Sequence, residues 1–402
     1  MAASSAVCFE SKIDLDVFQE IASVADRINP LRRHLILSKV TGKHIVASPT
    51  AMALWGHRLS SLIAPYLSTE ITSRGYIGVI GFAETATGLA AQIAESLHAE
   101  LLVQTTRDSR GLRNPLLFSE AHSHCPDLLI SREAISRLAQ AHHIVIVDDE
   151  LTTGNTLLNL TDILRSHGLR QPITAACLVD ARPANLRERF TGAELAKGRW
   201  PTNVVSLCRV VITDEGHRPT APSNFALGSK ADGLGHRSTN PNVLGVLTAE
   251  VPIPDTRYGA GLTRRSGFQE LECFGERLRK DHAWERPLIV GLEEEVFPAF
   301  ILGRALGGDV QCTTRSPISS QNAGGYPIRS AAACSSVIDA DGQAFLYNVP
   351  LDPEAHPYSD VLVVEVQRHQ NSKLHPSVLQ AAALMAPNVW LVQIPTYIDC
   401  PG

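Results

Sequence analysis

Two adjacent carboxylates, Asp148 and Asp149, follow four apolar residues and precede the run Thr152-Thr153-Gly154-Asn155-Thr156. A turn of this composition that opens a helix presents unpaired backbone N–H groups and hydroxyl donors to an anion. Gly154 lets the backbone come close to that anion without a Cβ in the way. The acids do not suit a phosphate. They suit a pair of sugar hydroxyls beside it, or they hold a Mg²⁺ shell at a distance. A ligand with a phosphate and a diol one sugar ring apart is a ribose 5-phosphate. An ordinary strand followed by a capped helix is the structural alternative. It leaves Asp149 beside Asp148 unexplained, because like charges at a strand end gain nothing.

These residues need a strand to deliver them and a helix to receive them. The pattern predicts a strand over 143–149 and a helix over 156–167 closed by Gly168. The same rhythm surrounds them, with strands expected at 76–82, 100–107, 173–180 and 203–212 and helices at 86–98 and 131–141. Apolar strands alternating with helices imply an α/β fold with a parallel sheet covered on both faces. Ligands of such sheets bind at the carboxyl ends of the strands. Residues 13–26 and 50–66 have helical spacing, so residues 1–40 read as an N-terminal helical segment. Residues 214–242, rich in Gly, Pro, Ser and Asn, read as a connection between domains.

A second α/β region follows over 243–402, with strands expected at 287–292, 309–313, 360–366 and 388–394. Gly81, Glu84 and Thr105-Thr106-Arg107 find counterparts in Gly291, Glu294 and Thr313-Thr314-Arg315. The second region therefore reads as a degenerate duplication of the first, with chance likeness of two α/β units as the alternative. Its partner of the acid-rich stretch, DVLVVEVQRHQ, lacks the double acid and the Thr/Gly turn.

The 402 residues suggest two domains, and 44% hydrophobic content supports sizeable cores. A net charge of -5 gives no general attraction to nucleic acid or to an anionic membrane. No apolar run reaches the ~18 residues of a membrane span. The first residues carry no basic segment followed by an apolar one, so no signal peptide is expected. Eight scattered cysteines without a C-x-x-C argue against a disulfide framework or structural zinc, and a reducing cytoplasm is expected. The oligomeric state stays open, a homodimer included.

The stretch IVIVDDELTTGNT resembles the phosphoribosyl pyrophosphate (PRPP) signature of type I phosphoribosyltransferases at every defining position. With GFAETATGLA, FSEAHSH and the late TTRSP, the chain is similar to the phosphoribosyltransferase-like proteins of bacterial tellurium-resistance-associated operons. Their C-terminal domain is named for a Thr-Arg-Ser-Pro tetrapeptide, here Thr314-Arg315-Ser316-Pro317. The resemblance implies a PRPP-binding domain over 41–213 that uses Mg²⁺ and a C-terminal TRSP domain over 243–402. It implies transfer of ribose 5-phosphate to an unknown base-like acceptor with release of pyrophosphate. A PRPP-binding sensor and the reverse, pyrophosphorolytic or phosphorolytic reaction are the alternatives. Retention of both acids and of a lid favours the enzyme.

The resemblance also assigns roles. Asp148 and Asp149 would fix the ribose and, indirectly, Mg²⁺. Thr152, Thr153, Gly154, Asn155 and Thr156 would hold the 5-phosphate. A pyrophosphate loop over 81–88 would act through Ala83, Glu84 and Thr85, although an acid at 84 repels pyrophosphate unless a metal lies between. Arg107, at a strand end, would clamp pyrophosphate. The segment 108–127 would form a lid carrying Arg110, Arg113, Glu120, His122 and His124. The acceptor pocket is least legible. Lys39, Lys43 and His44 are candidates for it, with a solvated surface loop as the alternative. Arg257, Tyr258, Glu294 and Arg315 are candidates for it or for holding the second domain together.

Overall fold

The computed structural model describes residues 6–28, 34–67, 75–119, 127–188, 203–213, 241–262, 267–352, 354–368 and 374–398. Two parallel-rich sheets face each other across a shared core of helices. In the first, the strands Asn203–Thr213, Ile173–Asp180, His143–Leu151, Ile77–Gly81 and Leu101–Gln104 lie side by side and parallel. In the second, Val243–Thr248, Asn388–Tyr397, Asp360–Gln367, Pro287–Gly291 and Asp309–Cys312 do the same. Ile77–Gly81 and Pro287–Gly291 are buried at every position. Central strands covered on both faces are apolar throughout rather than alternating.

The second half repeats the element order of the first, apart from the helix Arg132–Leu138, which has no described counterpart between hairpin and strand. Each has a central strand, a helix (Ala86–Ser96; Val296–Leu306), a neighbouring strand and an antiparallel hairpin. The hairpins are Leu116–Ser119 with Asp127–Ile130, and Ala331–Ser335 with Gln343–Tyr347. A strand, a helix (Asn155–Ser166; Pro376–Ala382) and a last strand follow. Hydrogen bonds repeat as well. Thr105 N–H donates to Gly81 O and Thr313 N–H to Gly291 O, both at 3.0 Å. The Thr105 hydroxyl accepts from Ala83 N–H at 2.9 Å, and that of Thr313 from Glu293 N–H at 3.0 Å.

The halves also exchange their leading arms. Ala47 pairs antiparallel with Val310 at the edge of the second sheet. Ala260–Gly261 pairs antiparallel with Leu102 and Leu101 at the edge of the first. Contacts therefore cross the expected boundaries at 41 and 243, through the bridge of Ala47 to Val310 and the short strand Ala260–Gly261. The helices Ala86–Ser96 and Val296–Leu306 are buried almost all round, which the core of a larger body demands. They approach so closely that a Cβ on Gly88 would lie 2.4 Å from Val296 Cγ1.

The N-terminal segment is not purely helical. The helix Lys12–Ile21 ends where Ala22–Asp26 pairs with His34–Ser38 as an antiparallel ribbon. Ala6–Phe9 adds an edge strand beside Asn203–Thr213. Helical spacing over 13–26 was overridden by packing, since Ala25, Leu35 and Leu37 bury against Ile318, Ile328 and Tyr347 of the second half. The connection 214–240 lies outside the described residues. Among the described residues, no helix is long and apolar enough to cross a membrane.

Candidate functional site

The strand His143–Leu151 runs two residues further than expected, so Asp148, Asp149 and Glu150 sit on its last turn of pleat, half-buried. Asp149 N–H donates to Asp148 Oδ1 at 2.9 Å. Gly154, at φ 77°, caps the helix that starts at Asn155 and has no side-chain cap. Glycine takes this left-handed conformation without a Cβ penalty. Asn155 N–H donates to the Thr153 hydroxyl at 3.3 Å. Among the described residues, the N–H groups of Thr152, Thr153, Gly154, Thr156 and Leu157 have no partner in the protein. This is the unpaired amide set that an anion would satisfy.

One cavity of about 100 Å³ gathers seven of the expected residues, Ala83, Glu84, Thr85, Arg107, Asp148, Asp149 and Thr156, while Thr152, Thr153, Gly154 and Asn155 are not among its lining. Phe82, Leu128 and Glu150 complete the part built by the first half. The remaining wall comes from elsewhere in the chain: Arg27, Leu35 and His44 before the core, and Thr314, Arg315 and Ser316 from the second half. The matching place in the second half is filled. There Arg368 pairs with Glu295 and Asp255, and Arg257 pairs with Asp255 at 2.7 Å and Asp108 at 3.6 Å. The space left beside Glu295 and Arg368 is about 10 Å³.

Several expectations change. Ala83 lines the cavity, but its N–H already donates to Thr105. Glu84 lines the cavity half-buried, and its carboxylate is already engaged by the second half and by Lys43. Its Oε1 accepts from Arg315 Nε at 3.0 Å, and its Oε2 lies 3.0 Å from Lys43 Nζ and accepts from the Thr314 hydroxyl at 3.2 Å. Burial alone would raise this carboxyl, but Lys43, Arg315 and Arg107 outweigh it and hold it well below the usual carboxylate range. Thr87 is buried and donates to the Glu84 carbonyl at 3.0 Å. Arg107 lies three residues beyond the strand Leu101–Gln104, because Thr106 leaves the sheet to pair with Leu129.

The lid expectation divides. The segment 108–127 carries one strand of the hairpin rather than only loop. Arg110 does not line the cavity: its guanidinium holds Asp108 at 2.7 and 3.0 Å and donates to Val337 O at 2.6 Å. Arg113 is exposed and also lies off the cavity. Glu120, His122 and His124 lie outside the described residues. Arg257 is buried in the ion pairs above, and the Tyr258 hydroxyl donates to Gly111 O, so both join the halves rather than line the cavity. Lys39 donates to Gln19 O at 2.7 Å. Arg27 and Leu35 carried no sequence signal, since only the ribbon brings them to the cavity, whereas Ser316 belongs to the Thr-Arg-Ser-Pro tetrapeptide.

The acids after each central strand clasp the opposite half. Glu84 takes Thr314 and Arg315 of the second half. Glu294 takes the Arg107 N–H at 2.7 Å and the Thr106 hydroxyl at 2.6 Å. Both carboxylates therefore position an arginine that lines the one cavity. Glu294→Ala leaves two buried donors unpaired, each worth ~1–3 kcal/mol. A loss of ~2–5 kcal/mol in urea unfolding is expected on that basis, and a loss under ~1 kcal/mol would remove the clasp as a stabilising feature.

Glu293 adds a pH dependence. Burial and the neighbouring Glu84 charge push its carboxyl up to about 7, against Arg315, Val337 N–H and the Ser336 hydroxyl. A folded-state acid raised above its ordinary 4.5 contributes stability that is fully present below that value and lost as pH rises through about 7. Glu84 has the opposite sign, and its contribution is lost only as pH falls below the usual carboxylate range. Glu293→Gln should therefore gain on the natural chain between about pH 5 and 8. Urea midpoints at both pH values check this, and parallel shifts of the two proteins would contradict it.

Comparison with known proteins supplies the family. Residues 21–210 match a phosphoribosyl transferase family, and residues 255–382 match the TRSP domain that stands C-terminal to it. No curated protein matches the chain. Among solved structures, the chain is similar to the adenine phosphoribosyltransferase of Giardia lamblia, at 17% identity and TM-score 0.34 over 50% of this chain and 98% of that one. It is also similar to the Trypanosoma brucei adenine phosphoribosyl transferase, at 13% identity and TM-score 0.37 over 56% and 91%. A Staphylococcus aureus hypoxanthine phosphoribosyltransferase is matched at 11% identity and TM-score 0.24 over 42% and 79%. The chain thus belongs to the phosphoribosyl transferase family, in the form that carries a TRSP domain C-terminal to the transferase domain.

Proposed function

We propose that the protein transfers ribose 5-phosphate from PRPP to a base-like acceptor and releases pyrophosphate. The observation that carries this reading is the single cavity that joins the 83–85 loop and Arg107 to Asp148, Asp149 and Thr156. The open amides of the 152–157 turn hold the 5-phosphate. Asp148 and Asp149 accept hydrogen bonds from the ribose diol and place negative charge near the ring. Arg107 clamps the pyrophosphate. The bond from C1 to pyrophosphate oxygen breaks with its electron pair on the leaving group. A ring nitrogen of the acceptor then bonds to C1, and its proton passes to the departing pyrophosphate. Holding both reactants in line can contribute ~7–11 kcal/mol.

The donor set fits Mg²⁺. Asp148, Asp149 and Glu150 offer only hard oxygen ligands, and among the described residues no group of three or more His, Cys, Asp or Glu is arranged to cage a metal ion. Mg²⁺ is ordinarily held by one or two carboxylates, water and substrate phosphates. When bound it neutralises charge on the pyrophosphate.

Calorimetric titration of PRPP with Mg²⁺, followed by a pyrophosphate-release assay with a panel of bases, tests the reading. Micromolar binding and base-dependent release are expected. Binding without release for any base would favour a PRPP sensor, and no binding would discard the site.

A further inference from the structure

His44 is buried, with 4% of its surface exposed, and it lines the cavity. Neither ring nitrogen has a hydrogen-bond partner in the protein. A buried polar ring left unpaired is costly, and its neighbours do not relieve it: Tyr347 stands against it ring to ring, at 6.3 Å. Its main chain is fixed, because Gln311 donates to His44 O at 3.1 Å and Ala47 is paired into the second sheet. The ring is therefore held at the cavity wall by the exchanged arm.

The same wall carries Arg27 and Arg315, whose guanidinium groups are donors only. Of the acids that line the cavity, Glu84 has both oxygens engaged by Arg315, Lys43 and Thr314. Leu35 contributes an apolar side. We propose that His44, Arg27 and Arg315 form the acceptor subsite, and that it takes a planar heterocycle whose ring nitrogen stands beside carbonyl or carboxylate oxygens. This rests on the transferase reading, which leaves the acceptor open.

Burial pushes the His44 imidazole down to about 3, helped by Lys43 and Arg27, so the ring is neutral at physiological pH. A neutral imidazole offers one donor and one acceptor and matches a ring N–H or a ring nitrogen. The arginines meet oxygens. A ring that presents an amino group instead sets a donor against the donor-only arginines and leaves them without an acceptor. A site built around hydrogen bonds rejects such an analogue strongly.

The full chain is saturated with ribose 5-phosphate, which has no leaving group and cannot react. Orotate, uracil, nicotinate and adenine are then titrated by calorimetry. At least one oxygen-bearing ring is expected to bind, with adenine weaker by about tenfold or more. His44→Phe should weaken that ring by about tenfold or more, with the ribose 5-phosphate affinity kept within about twofold. His44→Gln, which keeps a donor and an acceptor, should recover part of the loss. Equal or tighter binding of adenine, no binding of any oxygen-bearing ring, or an unchanged affinity in His44→Phe would overturn the subsite. The ring preference is read on the natural chain, so it holds as a test even if the phenylalanine variant does not fold. Failure of ribose 5-phosphate itself to bind would overturn the transferase reading and is seen separately.

Discussion

Lys43→Met is expected to lower folding stability by about 3 kcal/mol or more, the scale of a broken buried ion pair. Lys43 is fully buried. Its ammonium lies 3.0 Å from Glu84 and donates to the carbonyls of Thr313, at 2.9 Å, and Glu293. Methionine fills the volume but leaves two carbonyls and part of a carboxylate uncompensated. Arg315 still faces Glu84, which keeps the loss toward the lower end of the ~3–5 kcal/mol range. Lys43→Met with Glu84→Gln should cost less than the sum of the two changes, because the pair disappears together. Urea unfolding of the four proteins measures this. A single-variant loss under ~1 kcal/mol, or strict additivity, would mean that the arm does not lock the halves.

Asp148→Asn with Asp149→Asn is expected to reduce kcat/KM for PRPP by ~10²–10⁴. Each hydrogen bond between a charged acceptor and a sugar hydroxyl contributes ~1.5–3 kcal/mol, and two give ~3–6 kcal/mol. Asparagine preserves shape and removes the charge, so the loss reports the acids' interaction with the sugar and with the cation-like ring. The rate of pyrophosphate release at low PRPP measures it, with urea midpoints taken alongside. A reduction below tenfold would leave the twin acids without the role given to them.

The strands and helices around the acids were legible because their patterns are local. Ile173–Asp180 falls on its expected residues, and the helix at Ala86 starts where the pattern put it. The likeness between GFAETATG and GLEEEVFP was legible too. Its consequence was not: Glu84 and Glu294 are exchanged partners of the opposite Thr-Thr-Arg. A repeat in sequence states that two units share a form, and it carries no information on how they face each other. The same limit hid Arg27 and Leu35, which reach the cavity at the ribbon that pairs 22–26 with 34–38. It also made Lys43 resemble a surface residue, since a lysine beside glycine reads as loop until its buried acid is known. Arg110 lies off the cavity for a local reason. Asp108, two residues before it, captures its guanidinium.

A crystal structure of the full chain with PRPP and Mg²⁺ tests the central claim most directly. The account predicts the 5-phosphate oxygens within hydrogen-bonding distance of the N–H groups of residues 152–157, and the ribose hydroxyls on Asp148 and Asp149. Density for the phosphate at any other place, or an unliganded turn at saturating PRPP, would contradict it.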